Sequence, residues 1–75
     1  MGKLPRLSGK EVIKILAQKG FVPVRQKGSH VILKKKIDGQ EIGVVVPNHK
    51  EVDRGTLLEI IRQAKLTREE FMGLI

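Results

Sequence analysis

The residue pair Asp38–Gly39 restricts the fold of this chain more than any other feature of its sequence. Tight turns between antiparallel strands need positive φ angles, which glycine and aspartate tolerate. The pair separates two runs rich in β-branched and long side chains, His30–Ile37 and Glu41–Val46. A second turn, at Lys27–Gly28, follows a shorter run of strand character, Phe21–Gln26. These patterns predict three antiparallel strands joined in chain order.

Two details of the predicted strands matter for the surface of the sheet. Pro23 has no N–H group for a ladder hydrogen bond, so the first strand should be an edge strand or a bulged one. Three consecutive valines, Val44–Val46, precede Pro47 at the end of the third strand. Such a run indicates burial on both faces, a partner on the outer face, or incomplete coverage of a small core.

Capping signals predict helices before and after the strands. The first helix should span roughly residues 9–19 and end at Gly20, and a second long helix and a short terminal one should follow the sheet. The capping residues are Ser8 with Glu11, then Asp53, then Thr67 with Glu70. The apolar stripes are Val12, Ile13, Ile15, Leu16 and Ala17 in the first helix, and Leu57, Leu58, Ile60, Ile61 and Ala64 in the second.

The resulting order, α-β-β-β-α with a terminal turn of helix, predicts an α+β fold with both long helices on one face of a three-stranded antiparallel sheet. Side chains alternate between the faces of a strand. Val31 and Leu33 should therefore point at the helices, with Phe21 and Phe71 also in the core. The opposite, open face should carry His30, Ile32, Lys34 and Lys36.

The charge of the chain is concentrated in one half. The 75 residues, which we assign to a single domain over 1–75, include 15 Lys and Arg against 8 Asp and Glu, a net charge of +7. Residues 1–36 hold ten basic residues and one acidic residue (+9), and residues 37–75 hold five and seven (−2). This asymmetry is typical of a face that binds a polyanion, and the alternative is a basic surface that serves solubility.

Several classes of function are excluded or disfavoured by composition. The absence of Cys excludes disulfides, thiolate metal sites and a Cys nucleophile. The two histidines and the scattered carboxylates show no metal-ligand spacing, so we expect neither a metal site nor a cofactor. No apolar run approaches the roughly 20 residues that span a bilayer, and no membrane partner is expected.

His30 is the residue best suited to chemistry, because a histidine can act as general acid or base near neutral pH. It follows Gly28 and Ser29 at the junction of a turn and a strand, where glycine permits close backbone approach and the hydroxyl can donate a hydrogen bond. Lys27, Lys34 and Lys36 are candidates for holding a phosphate. A structural role for a single histidine at a strand start is the alternative.

Two further features remain open. His49, in the loop after Pro47, is a candidate partner for His30 or a residue that caps a backbone group. The run Lys34–Lys36 is either an RNA-backbone contact or a solvated strand end. Alternation turns Lys35 away from its two neighbours.

The order α-β-β-β-α, together with a basic face, resembles the double-stranded RNA-binding domain. The residues themselves resemble the HicA toxin family over nearly the whole chain. The Gly28–His30 element and the helix start at Gly55–Leu57 are specific for this family when they occur together. The similar segments are Leu7–Leu16, Gly20–Phe21, Gln26–His30, Val45–His49, Gly55–Leu57, Ile60–Ala64 and Thr67–Phe71. The residues Asp53–Thr56 stand where ordinary double-stranded RNA-binding domains carry a lysine cluster.

The resemblance implies a cytoplasmic mRNA interferase, an endoribonuclease toxin of a type II toxin–antitoxin pair with His30 as its catalytic residue. It implies mRNA as the substrate and a HicB-type antitoxin as the partner that covers the histidine-bearing face. We expect metal-independent cleavage, with Lys27, Gly28, Ser29, Lys34 and Lys36 in contact with RNA. The alternatives are a non-catalytic module that binds double-stranded RNA and a protein-interaction domain whose basic face meets an acidic partner.

Overall fold

The fold is described from a computed structural model, which covers residues 4–75. It contains the predicted helix–strand order and confirms the α+β arrangement with a three-stranded antiparallel sheet. The elements are α1 Gly9–Ala17, β1 Val22–Lys27, β2 His30–Ile37, β3 Gln40–Pro47, α2 Arg54–Gln63 and α3 Arg68–Met72. None of the helices in these residues is long and apolar enough to cross a membrane.

The helices begin where the capping signals predict. The Ser8 hydroxyl accepts a hydrogen bond from the Glu11 backbone N–H at 3.1 Å, and the Glu11 carboxylate accepts one from the Ser8 N–H at 2.9 Å. Thr67 and Glu70 form the same reciprocal pair at the start of α3. Each box satisfies backbone donors that have no partner within the helix.

The first helix ends earlier than predicted. Regular α-helix stops at Ala17, and hydrogen bonds to the third residue back then carry the chain to Gly20, whose φ is +91°. A residue without Cβ adopts this conformation at little cost. Ala17 and Leu58, both assigned to apolar stripes, are exposed because they lie at the edges of those stripes.

The sheet has the order β1-β2-β3, with β2 in the centre. The β2–β3 register runs unbroken from His30–Pro47 to Ile37–Gln40 around the predicted turn. Asp38 and Gly39 have φ angles of 49° and 78°, as a type I′ hairpin turn requires. Both expectations for Pro23 are confirmed, since β1 lies at the edge of the sheet and its register shifts between Pro23 and Arg25.

The first hairpin turn lies one residue later than predicted. Lys27 is the residue of β1 opposite His30, so the two turn residues are Gly28 and Ser29 rather than Lys27 and Gly28. Gly28 has a φ of +60°, consistent with glycine at the first central position of a type II′ turn. This correction moves Lys27 from the turn into the strand, directly beside His30.

The core lies between the helices and one face of the sheet, and the predicted alternation of β2 is confirmed. Val31 and Leu33 are buried, as are Phe21 and Phe71, whereas His30, Lys34 and Lys36 are exposed. The buried cluster comprises Leu7, Val12, Ile15, Leu16, Phe21, Val31, Leu33, Val44, Val46, Val52, Leu57, Ile60, Ile61, Ala64 and Phe71. The helices pack against β3, and all six residues of β1 are exposed.

The start of α1 contacts the end of β3 at Gly9. A Cβ atom on this buried glycine would lie 2.3 Å from the Pro47 carbonyl oxygen and 2.8 Å from the Asn48 Cα. The Gly9 N–H donates a hydrogen bond to the His49 carbonyl oxygen at 2.9 Å. The absence of a side chain therefore lets the helix approach the loop closely enough for this bond.

We expect Gly9→Ala to destabilise the protein by about 1–3 kcal/mol, the usual cost of overpacking, because backbone atoms must move to admit the methyl group. Urea denaturation followed by circular dichroism measures the change. Gly43→Ala is the matched control, since a Cβ at Gly43 meets nothing within 4 Å. Equal free energies of unfolding for the two variants would contradict the importance of the contact at Gly9.

Candidate functional site

The face of the sheet opposite the helices, which we call the outer face, holds the candidate residues in cross-strand rows. Residues directly opposite each other in antiparallel strands share a face. The rows across β1, β2 and β3 are Lys27–His30–Pro47, Arg25–Ile32–Val45 and Val22–Lys34–Gly43, followed by Lys36 opposite Glu41. The outer face is therefore mainly basic, with an apolar centre.

His30 lies at one end of this face, at the point where three segments meet. It is the first residue of β2 and is exposed. The preceding residue, Ser29, accepts a hydrogen bond through its carbonyl oxygen from the Asn48 N–H at 2.6 Å. The Gln26 side-chain amide donates to the Gly28 carbonyl oxygen at 3.1 Å and braces the turn. The histidine is thus carried on a backbone fixed from both neighbouring strands.

The predicted RNA-contacting residues do not converge on one point. Lys27 lies directly across from His30, and Gly28 and Ser29 form the exposed turn between them. Lys34 and Lys36 lie on the same face but about 13 and 20 Å farther along β2, at roughly 3.3 Å per residue. A phosphate beside His30 is therefore within reach of Lys27, whereas Lys34 and Lys36 are placed for other phosphates.

Lys34 already has an acidic partner. Its ammonium nitrogen lies 3.1 Å from a carboxylate oxygen of Glu41, diagonally across the face. Gly43 lies directly opposite Lys34 and has no side chain, so nothing at this position separates Lys34 from Glu41. Both charged groups are close to half exposed, and exposed ion pairs contribute only about 0–1 kcal/mol. A phosphate can therefore replace the carboxylate as the partner of Lys34 at small cost.

Arg25 is a candidate that the sequence prediction missed. It lies opposite Ile32 on the outer face, is exposed, and is two residues from Lys27 along β1. A guanidinium group can bind a phosphate through two parallel hydrogen bonds. Counting back from His30 through a two-residue Gly28–Ser29 turn would have found it, but the turn was predicted one residue too early.

Lys35 turns to the helix side, as alternation predicts. Its ammonium nitrogen lies 5.6 Å from the centre of the Phe21 ring, within the range of a cation–π contact. Its side chain covers a core aromatic residue, so Lys35 is separated from Lys34 and Lys36.

The loop after β3 brings His49 close to the start of both long helices. The capping role expected for this residue belongs to its backbone carbonyl, which accepts the Gly9 N–H. The backbone N–H and the hydroxyl of Thr56 hold the pKa of the Asp53 carboxyl below its usual value, and the nearby His49 lowers it further. A shallow cleft here is lined by Ser8, Lys10, Asn48, His49 and Lys50.

Within residues 4–75, no group of three or more His, Cys, Asp and Glu side chains is placed to hold a metal ion. The outer face itself carries an exposed imidazole near an ammonium and a guanidinium group, those of His30, Lys27 and Arg25. Such a set can move a proton and bind an anion.

Comparison with known proteins identifies one family. A family model described as "HicA toxin of bacterial toxin-antitoxin" matches residues 9–66, more than half of the chain. The match includes β1, β2 and β3 with His30, and the loop with His49. A search of curated proteins found no match.

We expect the protein to lose stability in acid partly through Asp53. Its pKa is depressed in the folded state, so the carboxylate stabilises the fold fully above the unfolded-state value of about 3.9 and progressively less as the pH falls below it. Urea midpoints near neutral pH and near pH 3 measure the loss. Asp53→Asn retains a helix cap of similar quality but no titrating group at this position. The variant should therefore lose less stability between the two pH values. An equal loss in both proteins would contradict this role.

Proposed function

Because this chain belongs to the HicA toxin family of bacterial toxin–antitoxin systems, we propose that it is an endoribonuclease that cleaves mRNA with His30 as its catalytic residue. The observation that carries the proposal is the position of His30, exposed on the outer face and directly across from Lys27. Arg25, one row away, extends the same basic surface.

The proposed reaction is transesterification at a phosphodiester bond. The ribose 2′-oxygen loses its proton and bonds to the adjacent phosphorus, the bond from phosphorus to the 5′-oxygen breaks, and that oxygen gains a proton. The products end in a 2′,3′-cyclic phosphate and a 5′-hydroxyl. The His30 imidazole transfers one of the two protons, from the 2′-hydroxyl or to the 5′-oxygen, and a single such group contributes about 10²–10⁴-fold to the rate.

The basic residues around His30 have separate roles in this proposal. The ammonium group of Lys27 and the guanidinium group of Arg25 stabilise the negative charge that grows on the phosphate oxygens. The turn at Gly28 and Ser29 lets the RNA backbone approach closely. Lys34 and Lys36 bind phosphates farther along the strand, because their distance from His30 is too great for contact with the scissile one.

A HicB-type antitoxin is the proposed partner, and the outer face is its proposed contact. The apolar side chains Val22, Ile32 and Val45 lie in the middle of that face. Ile32 is half-buried, and Val45 is 39% exposed although the valines on either side of it are buried. Apolar surface of this kind favours a protein partner, whereas the surrounding cations favour RNA. One face thus suits both the substrate and the protein that blocks it.

We expect the purified protein to cleave single-stranded RNA in excess EDTA and to leave DNA of the same sequence intact, because DNA lacks the 2′-hydroxyl. His30→Ala should slow cleavage by about 10²–10⁴-fold. Gel separation of labelled products measures both. Undiminished cleavage by His30→Ala would contradict the role of His30, and loss in EDTA would contradict a metal-independent reaction. Salt-sensitive binding of RNA that stays intact would instead identify a binding module.

The direction of proton transfer can be read with an RNA that carries sulfur in place of the scissile 5′-oxygen. A thiolate leaves without protonation, so this substrate should restore cleavage by His30→Ala if His30 is the acid. It should not do so if His30 is the base. The control substrate for both proteins is RNA of the same sequence with the ordinary 5′-oxygen.

Arg25→Gln should lower kcat/KM for RNA cleavage by at least about tenfold, mainly through kcat, since hydrogen bonds to charged groups contribute about 1.5–3 kcal/mol and this one strengthens as charge grows on the phosphate. Arg68→Gln, an exposed arginine on α3 away from the outer face, removes the same charge and is the matched control. Steady-state cleavage at fixed ionic strength gives the comparison. An equal fall in kcat/KM in both variants would assign the effect to net charge alone.

A further inference from the structure

The cleft beside the outer face, lined by Ser8, Lys10, Asn48, His49 and Lys50, has no role in the proposed reaction. Three of its five lining side chains are basic, and they come from two separate segments, α1 and the loop after β3. We call this group the His49 cleft. Its five lining residues are all polar or basic, in contrast to the valine-bearing centre of the outer face.

The basic side chains of the cleft form no ion pair with the acids that the structure describes around them, although the Asp53 carboxylate lies close enough to His49 for that residue to lower its pKa. Within residues 4–75, the side chains of Lys10, His49 and Lys50 make no hydrogen bond and no ion pair. The neighbouring acids are engaged elsewhere. Glu11 accepts from Ser8, Asp53 accepts from Thr56, and Glu51 lies 4.0 Å from Arg6.

The cleft lies within a short distance of His30 along the backbone. His30 and Pro47 are opposite each other in the sheet, and His49 is two residues beyond Pro47. The Cα atoms of His30 and His49 are therefore at most about 13 Å apart, from the cross-strand spacing and the reach of two residues. One RNA strand can contact both histidines.

The connection between His30 and the cleft is rigid. Asn48 donates its N–H to the Ser29 carbonyl oxygen, and Gly9 donates its N–H to the His49 carbonyl oxygen. Gly9 also packs against Pro47 with no room for a side chain. The backbone that carries Lys10, His49 and Lys50 is therefore held at a fixed place relative to His30.

From this arrangement we propose that the His49 cleft binds a phosphate of the same RNA strand whose scissile bond lies at His30. The proposal rests on the proposed function for the identity of the strand. It assigns His49 to substrate binding rather than to proton transfer. The basic lining residues suit a phosphate better than the antitoxin, because charged residues are depleted at the core of protein interfaces.

The first test measures binding without cleavage. In a His30→Ala background, Lys10→Gln with His49→Gln and Lys50→Gln should weaken binding of a single-stranded RNA at least tenfold. The slope of log K against log salt should become shallower by about 0.7 for each phosphate that the variant no longer binds. Fluorescence anisotropy across a salt series measures both quantities.

The matched control removes two positive charges elsewhere. Lys14 and Lys65 are exposed and lie outside both the outer face and the cleft, so Lys14→Gln with Lys65→Gln changes the net charge equally. It should leave the salt slope unchanged. Equal affinity and equal slope in the two variants would overturn the proposal. Thermal unfolding midpoints identify any variant that fails to fold, and the single His49→Gln then replaces the triple substitution.

The second test separates binding from chemistry. In the active protein, His49→Gln should raise KM several-fold with kcat unchanged, and shortening the RNA on one side of the scissile bond should remove the difference from wild type. A fall in kcat with KM unchanged would overturn the binding role. Absence of cleavage by the wild-type protein would refute the proposed function alone, since the binding test uses uncleaved RNA.

Discussion

The close approach of α1 to the end of β3 at Gly9 is the contact on which the arrangement of this protein depends. Because Gly9 has no side chain, the first turn of the helix reaches the Pro47 backbone and hydrogen-bonds to the His49 carbonyl oxygen. The same loop bonds through Asn48 to the turn before His30. One corner of the molecule therefore joins a helix, a loop and a hairpin, and the candidate chemistry lies at that corner.

The alternation of the central strand divides the molecule into a core and a functional face. Val31 and Leu33 enter the core, while His30, Lys34 and Lys36 remain on the outer face. Because the helices pack on the opposite face of the sheet, the basic side chains of β1 on the outer face are exposed beside those of β2. Lys27 thus lies opposite His30 and Arg25 one row away, whereas Lys34 and Lys36 lie farther along the same face. Lys35 turns to the other face and covers Phe21.

The sequence was sufficient for most of the fold and for part of the candidate site. Local hydrogen bonds and backbone preferences act within a few residues, so the capping boxes, the Asp38–Gly39 turn and the position of Pro23 could all be predicted. The Gly28–Ser29 turn was misplaced by one residue, because either pair around Gly28 satisfies the local rules and only pairing with β2 decides between them. Because of that error, the sequence did not place Arg25 on the outer face, since the register of β1 decides to which face of the sheet each of its side chains points.

What the sequence by itself determined was the set of elements, the alternation of β2 and the presence of His30 on the face opposite the core, all of which follow from interactions between near neighbours. Family membership also followed from the residues. Only the tertiary structure decided which basic residues lie beside that histidine, that Glu41 pairs with Lys34, and that Lys10, His49 and Lys50 share a cleft. These contacts join residues on different strands, helices and loops, and strand register and helix packing determine them.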